Sequence, residues 1–367
     1  MKIFVTGTRG IPDIPGGVEK HCQELYPLIV AHGHEVILAT RAPYVVQQHP
    51  SWNGVQLVHI HAPRKKNLEA ITHTFLAVLK ARLMNVDLLH IHAIGPGLLV
   101  PLARLLGLRV VITNHGPDYN RGKWGKLAKM ILRLGEFLGG KFANEVIVIS
   151  RVTEDIITKR CGRTSHLIYN GVPIPEKSRN TDFLEGIGIV PGKYLFTVAR
   201  FVPEKGLHDL LAAFQAIQGD WQLVIAGDAD HETDYSRKIK KAAASDKRVI
   251  LTGYITGESL NQAFSHARLF VLPSYHEGLP IALLEAMSYE LPVLVSDIPA
   301  NKEIALDDDC FFSCGDVREL TQKIDLLLDT ELSDKERRLL RAEIVEKYNW
   351  LKIAEQTEAV YKKALTE

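Results

Sequence analysis

Cysteine is scarce: Cys22, Cys161, Cys310 and Cys314 are the four in 367 residues. Four scattered thiols make no disulfide framework. The Cys310/Cys314 pair has neither a second pair nor a His cluster to complete a metal centre. Long apolar runs are missing too. No stretch reaches the roughly 18 residues that a membrane-spanning helix needs. The opening MKIFVTGTRG reads as a short strand before a glycine turn, not as a signal peptide. The expectation is a cytoplasmic protein with reduced thiols. Charge excess is also lacking. The net charge is +1, which implies no nucleic acid or other polyelectrolyte partner. The balance hides an asymmetry. Residues 1–175 carry 21 Lys and Arg against 11 Asp and Glu, and the remainder carries 23 against 32. A basic first half suits an anionic membrane surface or a phosphorylated acceptor, and equally an acidic face within the same protein.

What is present is a repeating alternation of short apolar runs and helical patterns. Ile3–Val5 predicts a strand, followed by the glycine loop Gly7–Pro12, the Gly16-Gly17 pair, a helix over about 18–32 and a second strand over 35–39. This strand–loop–helix–strand unit begins a doubly wound α/β fold. The glycine spacing is not the dinucleotide fingerprint. Gly16 and Gly17 still admit a phosphate or sugar against the backbone, or serve as a tight turn. Further strands are expected over 55–60, 86–91, 110–113, 145–149 and 165–169. Asn170-Gly171-Val172-Pro173-Ile174-Pro175 then reads as an ordered connector. A second α/β series starts at Tyr194. The length and this connector predict two Rossmann-like domains, 1–175 and 176–349, with a final helical segment at 350–367.

Chemistry concentrates around residues 271–297. An apolar run ends at Pro273, a polar loop covers 274–278, Pro280 suits a first helical position, and 281–287 are strong helix formers. A helix start beside the end of a parallel strand presents backbone N–H groups to an anion. Glu277 lies in that loop and Glu285 less than two turns into the helix, where its side chain leans back toward the helix start. Both acids also fit plain helix-dipole decoration. Arg200 and Lys205 sit on one loop after the strand at 194–198, as a fork and a point charge able to neutralise a diphosphate. His115 directly follows the strand 110–113, at the mouth of the sheet. The pairs His59/His61 and His90/His92 each point to one side of a strand, but no carboxylate set accompanies them, so no metal is expected there. Asp228-Ala229-Asp230 looks superficially like a metal-binding pair of acids and lacks further ligands. The cations Arg121, Lys123, Lys126, Lys129 and Arg133 have partly helical spacing and suit a solvated face or an anionic docking surface.

Several stretches in order, VARFVPEKG (198–206), IAGD (225–228), LTGYI (251–255) and EGLPIALLEAM (277–287), resemble the retaining nucleotide-sugar glycosyltransferases of GT-B fold, family four. Glu277 and Glu285 match that family's pair of acids separated by seven residues. In the first half, GTRGIP with Gly16-Gly17, NHGPDYNRGKWGKLAK (114–129) and LGEFLGGKFANEVIVIS (134–150) resemble the bacterial rhamnosyltransferase-type subgroup. The resemblance spans nearly the whole chain. Pro173 departs from the family's usual acid, and Pro117 and Tyr119 from the subgroup's Leu and Trp.

The resemblance implies two Rossmann-like domains around a cleft, with the segment from Trp350 to Leu365 crossing back to the first. It implies a nucleoside diphosphate sugar donor (UDP-, GDP- or dTDP-linked), a saccharide or lipid-linked saccharide acceptor, and retention of anomeric configuration without metal or cofactor. Arg200 and Lys205 would hold the diphosphate and stabilise the departing charge. The backbone at Gly278, Leu279, Pro280 and Ile281 would support the phosphates, Pro280 contributing no N–H. Glu285 would bind the ribose and Glu277 the donor sugar. Gly16 and Gly17 would lie against phosphate and sugar, His115 would bond the sugar near its reacting carbon, and Gly253 and Tyr254 would touch the base. An epimerase or phosphorylase on the same fold, and a non-catalytic two-domain sugar-binding protein, are the alternatives.

Overall fold

The computed structural model describes residues 1–14, 16–45, 49–63, 69–120, 125–229 and 231–366. They form two compact units. Unit 1 is Met1–Gly171 with the C-terminal segment from Trp350, and unit 2 is Val172–Asn349.

Unit 1 is built on eight strands: β1 (Lys2–Thr6), β2 (Glu35–Arg41), β3 (Ser51–Trp52), β4 (Val55–Ile60), β5 (Leu88–His92), β6 (Val110–Asn114), β7 (Glu145–Val148) and β8 (His166–Leu167). Their order is β3-β4-β2-β1-β5-β6-β7-β8, parallel except for the β3–β4 pair. Helices α1 (Gly17–Ala31), α2 (Glu69–Leu83), α3 (Val100–Leu105), α4 (Lys126–Phe142) and α5 (Arg151–Cys161) cover the two faces, with the last helix (Trp350–Thr366). The near-continuous apolar strands follow from burial on both faces. On β1 and β2, Ile3, Val5, Val36 and Leu38 share one core with Leu25, Ile29, Ile353 and Tyr361. Their neighbours Phe4, Ile37 and Ala39 share the opposite core with Ala77, Val78, Val100 and Ala103. That alternation is the period of two of an extended strand. Gly171 ends the unit against the last helix, where a Cβ would come 2.5 Å from the Trp350 ring.

Unit 2 carries β9 (Tyr194–Val198), β10 (Gln222–Ala226), β11 (Val249–Gly253), β12 (Leu269–Leu272), β13 (Val293–Ser296) and β14 (Phe311–Phe312), in the order β11-β10-β9-β12-β13-β14, all parallel. Its helices are α6 (Asp182–Gly186), α7 (Leu207–Ala216), α8 (Asp234–Ala244), α9 (Gly257–Ser265), α10 (Ile281–Ser288), α11 (Pro299–Lys302), α12 (Val317–Asp329) and α13 (Asp334–Lys347), so the last helix is α14. Both sheets are doubly wound. Strand order reverses between β1 and β5 in unit 1 and between β9 and β12 in unit 2. Ligands of such sheets bind outside the carboxyl ends of the strands at that reversal.

One local expectation needs correction, and one helix was not expected. The polar, Gly-rich stretch 176–192 also carries a short helix, since Asp182–Gly186 forms α6 around the buried Leu184. Pro280 is the N-cap of α10, not its first helical residue; its ψ of 75° is non-helical, and its carbonyl accepts from Leu283 and Leu284 at 3.0 and 3.1 Å.

Candidate active site

In unit 2 the loops following β9 and β12 meet at the reversal point. Gly206, at φ +63°, closes the short helical turn Pro203–Lys205, and a Cβ there would lie 2.0 Å from the Pro273 carbonyl oxygen. The Tyr275 amide donates to the Glu204 carbonyl at 2.9 Å. These two contacts clamp the loops together and leave their charged side chains adjacent. Lys205 Nζ lies 2.6 Å from Glu277 Oε1, with both side chains largely shielded from water. Ser274 Oγ donates to the same oxygen at 2.7 Å. Neither contact uses Oε2, so the carboxylate is held by one oxygen and keeps acceptor capacity on the other.

Arg200 stands exposed on the β9 loop, and Glu285 is half-buried in α10. Of the four backbone positions from 278 to 281, Pro280 has no N–H, and the Ile281 amide is taken by the Leu279 carbonyl at 2.9 Å. Of these four, only the Gly278 and Leu279 amides have no backbone acceptor among the described residues. Gly253 ends the edge strand β11 at φ +68°, and Tyr254 after it is exposed. β10 separates them from β9, so these two stand apart from the Lys205–Glu277 pair. Asp228 pairs with Lys240 at 2.8 Å, which holds its carboxyl below the usual aspartate range. That pairing occupies the acid; Asp230 lies outside the described residues.

In unit 1, Gly16 and Gly17 follow β1 at the corresponding reversal, and His115 follows β6, two strands along. Gly16, at φ +149°, is the N-cap of α1, where a Cβ would collide with Glu19 Oε2 and Arg9 Nη2. Sequence reading missed that brace: Glu19 accepts from the Arg9 amide at 2.9 Å and pairs with its side chain at 3.2 Å. A Cβ at Gly17 would meet nothing within 4 Å among the described residues, and Pro15, two residues earlier, lies outside them.

His115 is half-buried just past β6 and heads a chain of polar contacts that runs through the core. Its Nε2 is 2.9 Å from His92 Nδ1. His92 Nε2 is 2.5 Å from the Tyr26 hydroxyl, which reaches His90 Nδ1 at 2.9 Å. His90 also meets the Tyr361 hydroxyl at 2.7 Å and Thr113 Oγ1 at 2.8 Å. His21 packs edge-on against His115 and His92 and meets Asn170 Oδ1 at 2.7 Å. Burial drives all these imidazoles toward the neutral form. His21 falls to about 4 and His90 to about 3, and His92 and His115 lie well below the usual value. A neutral imidazole offers one donor and one acceptor, so these contacts couple the tautomer of each ring to that of the next. The i, i+2 spacing of His90 and His92 signalled a shared face; His21, Tyr26 and Tyr361 gave no signal of their own. His59, from the other pair, meets Thr40 Oγ1 at 2.7 Å, while His61 is exposed beyond the end of β4.

His21, His92 and His115 also place one nitrogen each within 4.8 Å of the others. The His92–His115 separation of 2.9 Å is a hydrogen bond. Two nitrogens around a tetrahedral ion with ~2.0 Å bonds stand about 3.3 Å apart, so a shared proton fits this pair better than a metal.

Known proteins match both halves. Residues 15–175 match the family described as Glycosyltransferase Family 4, and residues 185–344 match Glycosyl transferases group 1. An uncharacterized glycosyltransferase of Methanocaldococcus jannaschii is 25% identical over 100% of this chain and 99% of its own. The UDP-Gal:alpha-D-GlcNAc-diphosphoundecaprenol alpha-1,3-galactosyltransferase of Escherichia coli is 26% identical over 75% of each. Among solved structures, sucrose-phosphate synthase from Thermosynechococcus elongatus superposes with a TM-score of 0.85 at 21% identity, covering 100% of this chain and 99% of that one.

Proposed function

Since the chain belongs to the family-four glycosyltransferases of GT-B fold, we propose that it moves a sugar from a nucleoside diphosphate sugar to a hydroxyl of a saccharide or lipid-linked saccharide, with retention at the anomeric carbon, in cell-surface polysaccharide synthesis. The observation that carries this reading is the clamped Lys205–Glu277 pair at the strand reversal of unit 2. A cation and a one-handed carboxylate side by side suit a ligand that presents phosphate oxygens next to sugar hydroxyls. Arg200 would join Lys205 on the diphosphate, the Gly278 and Leu279 amides would donate to it, and Glu285 would take the ribose hydroxyls. Gly253 and Tyr254, two strands away, would border the base. In unit 1, Gly17 with Gly16 offers close backbone approach, and His115 offers a neutral imidazole to a sugar hydroxyl. In the step itself the bond from the anomeric carbon to the phosphate oxygen breaks. The acceptor oxygen bonds to the same face, and its proton passes to the departing phosphate. The positive charges of Arg200 and Lys205 stabilise that phosphate without a metal.

The lipid-linked acceptor is supported by the E. coli relative, whose name specifies a diphosphoundecaprenol-linked sugar, and by the basic first half, which suits peripheral contact with an anionic membrane. No helix among the described residues is long and apolar enough to cross one. A thermal-shift panel of UDP, GDP and dTDP with their sugars tests the reading. One base should stabilise the protein by about 2.7 kcal/mol at a hundredfold excess over Kd, and Lys205→Ala should erase most of that gain. Donor turnover should fall at least about a hundredfold in Glu277→Ala. No shift with any nucleotide, or full turnover in Glu277→Ala, refutes the assignment.

A further inference from the structure

Helices α2, α3 and α4 cover one face of the unit 1 sheet, over the core formed by Ala77, Val78, Val100 and Ala103. α4 lies close to its neighbours because it has glycine where they meet. A Cβ at Gly135 would fall 2.3 Å from the Ile94 carbonyl oxygen, and one at Gly139 2.5 Å from Ile112. Its outward side is apolar. Leu127 is 66% exposed, Met130 62%, Leu134 49% and Phe137 40%. Steps of three, four and three residues align them in one stripe along the helix. α2 adds exposed Phe75, Leu79 and Leu83 at four-residue steps, and α3 adds Leu105. Single exposed apolar residues are ordinary; eight across one helical layer, four of them in one stripe on α4, are the pattern of an interaction surface.

The charges on this layer decide the occupant. Lys80, Arg82, Lys126, Arg133 and Lys141 are exposed, and Lys129 is half-exposed. The helices contain only two acids, and both are buried and committed: Glu69 to Arg41 at 2.8 Å, and Glu136 to Arg160 at 2.7 Å. The charge that α2, α3 and α4 present to solvent is therefore all positive. A second copy of this surface would set cation against cation. A sheet of anionic headgroups neutralises the cations while the leucines, Met130 and the phenylalanines enter the acyl boundary.

We infer that the α2–α3–α4 face of unit 1 docks on an anionic phospholipid bilayer, lying in its interface. This deepens the proposed function, on which only its purpose rests: it brings the enzyme to the surface where a lipid-linked acceptor resides. The test is flotation of the full chain with vesicles of phosphatidylcholine alone, or with about one-third phosphatidylglycerol, without nucleotide or acceptor. Binding is expected on the anionic vesicles, weakening several-fold from low to high salt. Lys126→Gln/Lys129→Gln/Arg133→Gln should lower it about a hundredfold, at roughly fivefold per cation. Leu127→Ser/Met130→Ser should lower it at least about tenfold, with thermal unfolding and the nucleotide thermal shift unchanged. No binding to anionic vesicles at low salt overturns the inference. So does a dimer in sedimentation velocity that these substitutions dissolve while vesicle binding is absent. Vesicle binding without any nucleotide shift would sink the transferase reading and leave the docking surface standing.

Discussion

Taking the protein from pH 7 to pH 5 should destabilise unit 1 steeply. Five histidines there, His21, His73, His90, His92 and His115, have their pKa lowered, burial being the largest cause for each. Such a group binds its proton more readily in the unfolded chain, at about 6.5. Stability is therefore full above that value and is lost as pH falls below it, levelling off only near the folded-state pKa. For a histidine shifted to about 4, the linkage costs about 2 kcal/mol at pH 5. His21, His73 and His90 together then cost about 6 kcal/mol, comparable with the whole stability of a typical domain, ~5–15 kcal/mol. His92 and His115 act in the same direction, and within the cluster each proton taken up opposes the next. Urea denaturation at stepped pH, with hydrogen exchange read by peptide mass, would follow this. Exchange in β1, β5 and β6 should accelerate more than in β9 and β12. His73→Leu, outside the His115 chain, should remove about 2 kcal/mol of the acid-dependent loss. A urea midpoint that stayed level between pH 7 and pH 5 would refute the reasoning.

Two substitutions test the supports of the site. Gly206→Ala forces a Cβ into the Pro273 carbonyl at a positive φ; it should cost about 2 kcal/mol or more and weaken nucleotide affinity by separating Lys205 from Glu277. Normal melting with unchanged affinity would show that the clamp is dispensable. Glu136→Ala removes the buried carboxylate that joins α4 to Arg160, Tyr119 and Asn114. Breaking a buried pair costs ~3–5 kcal/mol, and about half of that is expected because Arg160 can turn to water. An unchanged urea midpoint would remove Glu136 from the supports of the β6 loop.

The doubly wound architecture was legible because parallel strands buried on both faces write continuous apolar runs, and glycine loops punctuate them. That Arg200, Lys205 and Glu277 lie on loops after strand ends was legible because such a placement is local in sequence. The contact of Lys205 with Glu277 was not: it depends on β9 and β12 being neighbours, a pairing across more than seventy residues that no spacing encodes. The amide supply was overread, since a proline-initiated helix start does not reveal that Ile281 turns its N–H inward onto Leu279. The histidine chain was hidden for a related reason. His21 and Tyr26 sit on α1 among Cys22, Leu25 and Ile29, where they pass for ordinary core positions. Their partners come from β5, β6 and α14, including Tyr361 at the far end of the chain. Of the basic run after His115, Arg121 and Lys123 lie outside the described residues, and Lys126, Lys129 and Arg133 fall on α4.

The return of α14 to unit 1 orders events in time. Trp350, Ile353 and Tyr361 belong to the same core as β1 and β2, yet all of unit 2 is translated between Gly171 and Trp350. At a typical synthesis rate of roughly 5–20 residues per second, that interval is on the order of ten to thirty-five seconds. During it the first-made sheet waits with α1 but not α14 on that side of its core and with the His90 chain lacking the Tyr361 hydroxyl. The unit begun first is thus the unit finished last.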